Sequence, residues 1–411
     1  MKEFKNGQIW MNGLCALLIL CLFYSKYILS VSMILLLAGA VLHRRKKFNF
    51  YLKGPFLYTV GFLGLVTITI LYSNNLSSWF HHFKMKLPFL VLPMAFFNYP
   101  RIDRRNYYSL HYFFGLLVFL AAIPAVTYYF FHFAEMQDAI GKGQSFPLPI
   151  PHVKFGYFLA FGICCLIILY RSNYMWKWKW ERKAQLVIII ASVVVLHLLA
   201  IRTGIVLFYI TLGGLAFLLL LKEKKWKPFL VVLSLMIIIP GISYVTIPSF
   251  KQKVNYMEWD IGKHSLGEGA NYSDSERLGS LKVGLEILKD HSIVGVGFGD
   301  IKDRCQEYYQ NFFGKEKYVL YPHNQYLFIA VASGMMGLLF FIFIFLFPYY
   351  YWKSNIDPLL VSLGMMIGFA FLIDNVLERS VSVGFYAFFL SVGMNYHWNK
   401  TIKEIKSSPG D

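Results

Sequence analysis

The sequence predicts an all-α polytopic membrane protein with about twelve transmembrane helices. Of its 411 residues, 57% are hydrophobic and only 15% are charged, whereas soluble domains carry about 25% charged residues. Long uncharged stretches such as 56–72, 186–200 and 205–221 recur along the chain and approach the roughly 20 apolar residues that cross a bilayer. Continuous runs of this kind exclude a transmembrane β-barrel, whose strands show short alternating segments.

The predicted spans divide the chain into four regions. We place spans near residues 9–25, 28–43, 55–73, 78–98, 108–132, 155–171, 185–201, 204–221, 228–246, 335–352, 358–373 and 381–397. Nine of them fall in residues 1–247, and the next region, 248–322, is a large outer loop that is too long for a simple connection and should fold as a partly helical cap. Residues 323–397 hold a helix at the outer membrane edge and spans ten to twelve, and residues 398–411 form a cytoplasmic tail.

Basic residues predict the orientation of the spans. The formal net charge is +18, and Lys and Arg cluster in four short blocks that begin at His43, Arg101, Trp176 and Lys222. With both termini in the cytoplasm, all four blocks fall on the cytoplasmic side, which is the positive-inside pattern. We therefore expect this charge to meet membrane lipid, and we expect no nucleic acid partner.

The outer loop contains one clear helix and one glycine-rich turn. Ser273 and Glu276 form a capping box at the start of the helix. Leucines then recur on one stripe at helical spacing, at Leu278, Leu281, Leu285 and Leu288. Gly295, Gly297 and Gly299 alternate in GVGFG, which predicts a tight turn or a close approach of two backbone segments. Their spacing differs from GxGxxG, so a dinucleotide-binding turn is not indicated.

The main candidate for chemistry is His323, which lies where the outer loop meets an apolar run. Pro322 and Asn324 beside it are typical of a helix start. The positive field of a helix N-terminus favours a neutral, basic imidazole and attracts an anion such as phosphate. The alternative is that His323 and Asn324 only cap the helix by satisfying its free N–H groups.

Two arginines are candidates for binding an anion. Arg202 ends the seventh apolar run, where a charge between two closely connected spans is costly and often functional, although an arginine that snorkels to the interface would look the same. Arg277 lies in the first turn of the cap helix, off the leucine stripe, and its alternative role is that of a solvated surface residue. No cysteine spacing predicts a metal site, and we expect neither a metal nor another cofactor.

Other polar residues near the outer face have simpler interpretations. His81 and His82 are expected either to line a basic outer cavity or to lie at the lipid headgroups. Arg379 is expected to form a surface salt bridge with Asp374 and Glu378, since all three lie in one short outer loop.

The order and spacing of these residues resemble the O-antigen ligase and polymerase superfamily of bacterial envelope enzymes. Its ligases carry a His followed by Asn, Ser or Gln, then nine residues, then Gly-x-x-Gly or a similar pair. Here His323 and Asn324 are followed by nine residues and by Gly334 and Gly337.

Upstream motifs extend the resemblance. The family has an Arg-Thr or Arg-Ser at an outer helix end, which Arg202 and the next residue match. In its large outer loop the family has an Arg, a helix and then a Gly-x-Gly-x-Gly turn, which Arg277 and the turn at Gly295 and Gly297 match. The resemblance is specific from about residue 204 onward, and the first half of the chain matches only in hydropathy.

The resemblance implies an enzyme of the bacterial inner membrane, with its active site on the periplasmic side and both termini cytoplasmic. Such enzymes move a glycan from undecaprenyl diphosphate to an acceptor hydroxyl. His323 would be the catalytic base, Arg202 and Arg277 would bind the diphosphate, and the neighbouring Asn and glycines would support them. Direct displacement would invert the anomeric centre, and the lack of an Asp-x-Asp motif predicts that no metal is needed.

Several members of the superfamily share these features. We favour a ligase that joins O-antigen to the lipid A core oligosaccharide. The alternatives are an O-antigen polymerase that elongates lipid-linked repeats and a protein O-oligosaccharyltransferase. A transporter of lipid-linked glycans, which is not an enzyme, is the alternative from a different class; paired broken helices would favour it.

Overall fold

The computed structural model describes residues 2–42, 51–100, 102–265, 273–314, 319–353 and 356–407. Most of these residues are helical and none of them lies in a β-strand, which confirms the predicted all-α class. In chain order the α-helices are α1 (Lys2–Tyr24), α2 (Lys26–Leu42), α3 (Pro55–Ile68), α4 (Leu76–Lys86), α5 (Pro88–Asn98), α6 (Arg104–Phe131), α7 (Phe133–Gly141), α8 (His152–Arg171), α9 (Glu181–Leu198), α10 (Arg202–Glu223), α11 (Trp226–Thr246), α12 (Pro248–Ser265), α13 (Ser273–Asp290), α14 (Ile301–Phe313), α15 (Gln325–Tyr351), α16 (Pro358–Ile373) and α17 (Ser380–Ser407). Two 3₁₀ turns, Thr69–Leu71 and Val376–Glu378, complete the described elements.

Five described helices, α6, α8, α10, α11 and α15, are long and apolar enough to cross a membrane. Shorter apolar helices are Ile9–Tyr24, Lys26–Leu42, Pro55–Leu71 and Pro358–Ile373. The predicted spans at 78–98, 185–201 and 381–397 are helical but are not among these. The first of them is divided between α4 and α5, because Pro88 begins a new helix. The structure therefore supports a membrane protein with several spans, while the count of twelve is not confirmed.

One compact unit falls within Met1–Tyr107, Arg277–Ile356 and Phe371–Asp411. In this unit α3 packs between α5 and α15, and α5 also contacts α2 and α17. Large buried aromatic residues fill the space, for example Phe62 stacked on Phe89 with ring centroids 4.5 Å apart. This packing holds the apolar part of α15 in place, and the predicted base lies two residues before its start.

A second unit falls within Tyr108–Glu276 and Asp357–Ala370. In this unit α8 packs against α10, and the two helices meet at two glycines. A Cβ on Gly204 would lie 2.7 Å from the carbonyl oxygen of Gly156, so only glycine allows this approach. The contact lies two residues after Arg202 and fixes the start of α10.

The helix α15 is broken near its middle. Ser333 and Gly334 have non-helical backbone angles, and Gly334 has a φ of 67°. The break separates a short first segment, which follows the His-Asn pair, from a long apolar segment that begins at Met335. The predicted tenth span, 335–352, begins just after this break.

The segment 248–322, predicted as a partly helical cap, contains α12, α13 and α14. Its helical content agrees with the prediction. The capping-box residue Ser273 is the first residue of α13. The location of the segment outside the membrane stays a prediction.

Candidate active site

His323 lies immediately before α15, and Asn324 is the N-cap of that helix. The side-chain oxygen of Asn324 accepts a hydrogen bond from the backbone N–H of Leu327 at 3.0 Å. Its amide nitrogen donates to the carbonyl oxygen of Leu372 at 3.2 Å. Asn324 therefore caps the helix by itself, and the side chain of His323 is left for other contacts.

Those contacts bring His323 against a carboxylate. Its Nδ1 lies 2.9 Å from Oδ1 of Asp374, which sits in the loop after α16. Asp374 also accepts from the backbone N–H of Asn375 at 2.9 Å, and a guanidinium nitrogen of Arg379 lies 3.9 Å from its other oxygen. Burial raises the pKa of Asp374, but the hydrogen bond from His323 and the charge of Arg379 outweigh it and hold this pKa below its ordinary value.

The pair has a defined chemical consequence for the imidazole. An ionised carboxylate can only accept a hydrogen bond, so Nδ1 of His323 must be the donor to Asp374. The pairing therefore selects the tautomer of His323 that carries its hydrogen on Nδ1. The second nitrogen, Nε2, is then the one with a lone pair. The carboxylate also stabilises the imidazolium that forms once Nε2 takes a proton. This arrangement suits a general base, and it is more than a helix cap requires.

The His323 side chain lines an open cavity of about 720 Å³. Lys302 and Arg379 contribute cationic side chains to its wall, and His81 contributes a second imidazole. Cavities of a few hundred to a thousand cubic ångströms are typical of ligand sites. His81 thus lines this cavity, whereas His82 is buried. The location of the cavity at the outer face stays a prediction.

A buried network lies directly behind the cavity. The carboxylate of Glu378 accepts from the ammonium of Lys86 at 2.8 Å and from the side-chain amide of Gln325 at 3.1 Å, and it lies 2.9 Å from Nδ1 of His82. The Lys86 ammonium also donates to the carbonyl oxygen of Leu377 at 2.6 Å. Burial opposes ionisation of Glu378, but Lys86 and His82 outweigh it and lower the pKa of this carboxyl well below its ordinary value.

The network connects the segment that carries His323 to the segment that carries Asp374. Gln325 follows His323 by two residues, and its side-chain oxygen accepts from the backbone N–H of Leu377 at 2.7 Å. The short turn at Val376–Glu378, which begins two residues after Asp374, is thereby tied to the first turn of α15. The expected salt bridge of Arg379 is present with Asp374, at 3.9 Å, although the carboxylate of Asp374 is buried. The pairing with Glu378 is wrong, because Glu378 is buried and pairs with Lys86.

The glycine-rich turn packs on the break in α15. The backbone N–H of Val296 donates to the carbonyl of Val331 at 2.9 Å, and that of Gly297 donates to the carbonyl of Ala332 at 2.8 Å. The N–H of Met335, which a continuous helix would bond to Val331, donates instead to Ser292 at 2.8 Å. The turn therefore satisfies the groups that the break exposes, as buried backbone polar atoms require.

Each glycine predicted to support the site occupies a position where a larger residue would not fit, but the structural cause differs from one position to the next. Gly295 and Gly334 both have positive φ, 77° and 67°, and their backbones touch. Gly297 approaches Ser73, and a Cβ there would lie 2.5 Å from the serine oxygen. A Cβ on Gly337 would overlap the side chain of Ser333. Gly295 and Gly334 thus lie at the contact between the turn and the broken helix, whereas Gly297 packs on Ser73 and Gly337 packs on Ser333 of its own helix.

Arg277 is joined to His323 through one serine. The Ser280 hydroxyl donates to the carbonyl oxygen of Arg277 at 2.7 Å and accepts from the backbone N–H of His323 at 3.1 Å. The first turns of α13 therefore lie beside the start of α15. The Arg277 side chain itself is half-buried.

Arg202 lies in the second unit, at the first residue of α10. Hydrogen bonds hold the turn between α9 and α10 in place. The ring nitrogen Nε2 of His197 lies 3.1 Å from the Tyr209 hydroxyl, and the Ser249 hydroxyl donates to the carbonyl oxygen of Leu198 at 2.6 Å. These contacts place the arginine at a fixed helix end. The association of Arg202 with His323 at one site stays a prediction.

The sequence interpretation missed Asp374 as the partner of His323 and missed the buried residues around Glu378. One signal for the latter was available. Lys86 falls inside the predicted apolar span 78–98, and a charge in such a segment indicates a paired, functional or structural role. Among the described residues no group of three or more His, Cys, Asp or Glu side chains is placed to hold a metal, and the metal requirement stays a prediction for an activity assay.

These features define a class of protein: a helical membrane protein with a polar cavity lined by a histidine, which pairs with a carboxylate at the start of an apolar helix. Residues 186–342, a little over a third of the chain, match the family model described as O-Antigen ligase. The match includes Arg202, Arg277 and His323, and it confirms the resemblance to the O-antigen ligase and polymerase superfamily. It supports a ligase- or polymerase-type enzyme of a bacterial membrane. A comparison with curated proteins finds no match.

Proposed function

We propose that this protein is an inverting, metal-independent glycosyltransferase of the bacterial inner membrane. Its donor is a glycan carried on undecaprenyl diphosphate, and its acceptor is a hydroxyl of the lipid A core oligosaccharide. The reaction takes place at the periplasmic side. The observation that carries the proposal is the 2.9 Å contact between Nδ1 of His323 and Asp374, together with the match of residues 186–342 to the family model described as O-Antigen ligase.

The proposed step is a direct displacement. Nε2 of His323 takes the proton of the acceptor hydroxyl as its oxygen attacks the anomeric carbon from the face opposite the diphosphate. The bond between that carbon and the diphosphate oxygen breaks, its electron pair leaves with the diphosphate, and the configuration inverts. Asp374 stabilises the imidazolium that results.

The departing diphosphate has to be stabilised by cations and does not have to be protonated. A diphosphate carries its charge on several oxygens, and a guanidinium matches them with two parallel hydrogen bonds. Arg202 and Arg277 are the proposed diphosphate ligands. Asn324 and the glycine contact between the turn and α15 hold His323 at the position that this geometry needs.

The test is a transfer assay with purified protein, lipid-linked O-antigen and lipid A–core acceptor. Glycan attached to the lipid A core supports the ligase, and lengthened lipid-linked glycan would show a polymerase instead. Arg202→Lys and Arg277→Lys should both slow transfer, because a point charge does not reproduce the fork of a guanidinium. Arg304→Lys is the matched control, since Arg304 is an exposed arginine paired with Glu307 on α14. Equal activity of all three variants would contradict the assigned roles.

A further inference from the structure

A cleft beside α2 holds two lysines that the candidate active site does not use. Its volume is about 150 Å³, and its walls come from α2, the junction of α4 with α5, and the start of α17. Lys26 is the first residue of α2, and Lys84 lies in the last turn of α4, just before α5 begins. Residues that are 58 positions apart in the sequence therefore bring two cationic side chains to one small space.

The cleft carries a net positive charge. None of the described residues that line it is acidic. The contacts described for the two ammonium groups are with aromatic rings: the ammonium of Lys26 lies 5.2 Å from the ring centroid of Tyr27, and that of Lys84 lies 4.6 Å from the ring centroid of Phe80. A cation over a ring keeps its full charge, so both lysines can attract an anion that enters the cleft.

Hydroxyl groups add to the polar part of the cleft. Ser30 and Ser380 both line it. The Ser30 hydroxyl donates to the carbonyl oxygen of Lys26 at 3.0 Å, so its hydrogen is already used, whereas the Ser380 hydroxyl can donate to an occupant. Two ammonium groups and a hydroxyl together suit a group with several acceptor oxygens, such as a phosphate.

The rest of the cleft is apolar and continues along two packed helices. Ile34 of α2 is 62% exposed, and Val91 of α5 is half-buried. The helices α2 and α5 pack against each other, and beyond Lys26 neither of them contains a charged residue. The cleft is thus cationic at one end and opens onto an apolar surface at the other.

The two lysines lie where the apolar part of each helix begins. In a membrane protein this is the level of the lipid head groups. The predicted topology places this end of α2 and α5 at the outer face, where lysine and arginine are less common than in cytoplasmic loops. Two like charges that share a small space also repel each other, and a bound anion would remove that repulsion.

The cleft shares wall elements with the active-site cavity. The helix α4 contributes His81 to the cavity and Lys84, three residues later, to the cleft. At the start of α17, Arg379 lines the cavity and Ser380 lines the cleft. A molecule in the cleft therefore contacts the same two elements that hold one side of the cavity.

We propose that this cleft binds an anionic membrane phospholipid, with its phosphate between Lys26 and Lys84 and an acyl chain along Ile34 and Val91. The volume is below the roughly 300–1,000 Å³ of typical ligand pockets, so the cleft admits a small head group and excludes an oligosaccharide. Phosphatidylethanolamine suits it poorly, because the ammonium of that lipid would meet the two lysines. The inference goes beyond the proposed function and does not depend on which glycan is transferred.

The test measures how lipids stabilise the purified protein in a non-ionic detergent. A ligand that binds the folded state raises the unfolding temperature as its concentration rises. Phosphatidylglycerol should raise this temperature at lower concentrations than phosphatidylethanolamine. Lys26→Gln and Lys84→Gln should each weaken the apparent affinity for phosphatidylglycerol by about tenfold, because each removes one charge-assisted hydrogen bond to the phosphate.

Two controls separate the cleft from a general effect of charge. Lys84→Arg keeps the positive charge and should retain binding of phosphatidylglycerol. Lys142→Gln removes an exposed lysine on α7 that pairs with Asp138, and it should respond to the lipid as the wild type does. Inorganic phosphate is the probe for the head group alone and should bind much more weakly than the lipid, because it lacks the apolar chain.

Each contrary outcome rejects a different part of the proposal. Unchanged affinity in both Lys26→Gln and Lys84→Gln would overturn the site. Equal stabilisation by the two phospholipids would overturn the recognition of a negative head group, and inorganic phosphate that binds as tightly as phosphatidylglycerol would overturn a lipid as the occupant. None of these readouts uses glycan transfer, so each of these failures would leave the proposed function in place.

Discussion

Gly295 and Gly334, 39 positions apart in the sequence, meet backbone to backbone. A Cβ on Gly295 would lie 2.5 Å from the backbone nitrogen of Gly334, and a Cβ on Gly334 would overlap the carbonyl of Ile293. Both residues also have positive φ, a region that other residues rarely adopt. The glycine-rich turn and the broken helix therefore form one structural element, which ends the short helical segment that follows His323.

Gly334→Ala should destabilise the protein by about 3 kcal/mol or more, because overpacking and backbone strain each cost about 1–3 kcal/mol. The measurement is thermal unfolding in detergent. Gly64→Ala is the matched control, since a Cβ there meets nothing within 4 Å in the helix α3 and alanine is the better helix former. Equal unfolding temperatures of the two variants would contradict the assigned contact.

Asp374→Asn should lower kcat by about a hundredfold to ten-thousandfold, because the amide no longer selects the His323 tautomer or stabilises the imidazolium. The KM for donor and acceptor should change little, since Asp374 acts through His323. Asp138→Asn, at an exposed acidic residue paired with Lys142, is the control. A kcat of Asp374→Asn close to the wild-type value would show that the carboxylate has no part in catalysis.

Acid should remove the contribution of Glu378 to stability. Its pKa is lowered in the folded protein from the ordinary value of 4.5 to about 2. A depressed carboxyl pKa stabilises the fold above the ordinary pKa, and this stabilisation is lost as pH falls through the window from 4.5 toward about 2. Unfolding temperatures across this window should fall more steeply for the wild type than for Glu378→Gln.

The control for this acid series is Glu307→Gln, at a half-exposed glutamate on the surface of α14. This variant should follow the wild-type curve. At neutral pH Glu378→Gln should be less stable than the wild type, because it leaves the ammonium of Lys86 buried without its carboxylate. Parallel curves for Glu378→Gln and the wild type would contradict the ionised state of Glu378.

Metal removal should leave transfer intact. The proposed step stabilises the diphosphate with arginines and uses an imidazole as base, so no divalent ion has a role. Purified protein in excess EDTA should transfer glycan at the rate seen with added Mg²⁺. Loss of activity in EDTA that Mg²⁺ restores would refute this part of the mechanism.

Local patterns predicted the elements of the fold that depend on neighbouring residues. The apolar runs predicted the helices, Ser273 and Glu276 predicted the start of α13, and Asn324 predicted the cap of α15. These signals are short-range, since capping and helical periodicity involve residues within a few positions of each other. The same reasoning found His323 and the glycines that surround the break.

Long-range pairs could not be predicted in this way. Asp374 lies 51 positions from His323, and Glu378 lies 292 positions from Lys86, so only tertiary folding brings them together. The leucine stripe of α13 illustrates a second limit. Its periodicity predicted an apolar face, but a residue pattern does not show whether core, lipid or ligand covers that face.

The most direct test of the account is the transfer rate of His323→Ala, measured with purified protein, lipid-linked donor and acceptor at matched protein levels. As a general base His323 should contribute about a hundredfold to ten-thousandfold, so the variant should fold, insert and transfer glycan at least about a hundredfold more slowly. His132→Ala, at an exposed histidine stacked on Tyr128, should transfer at the wild-type rate. If His323→Ala also transfers at that rate, the base is another group and His323 only supports the start of the helix.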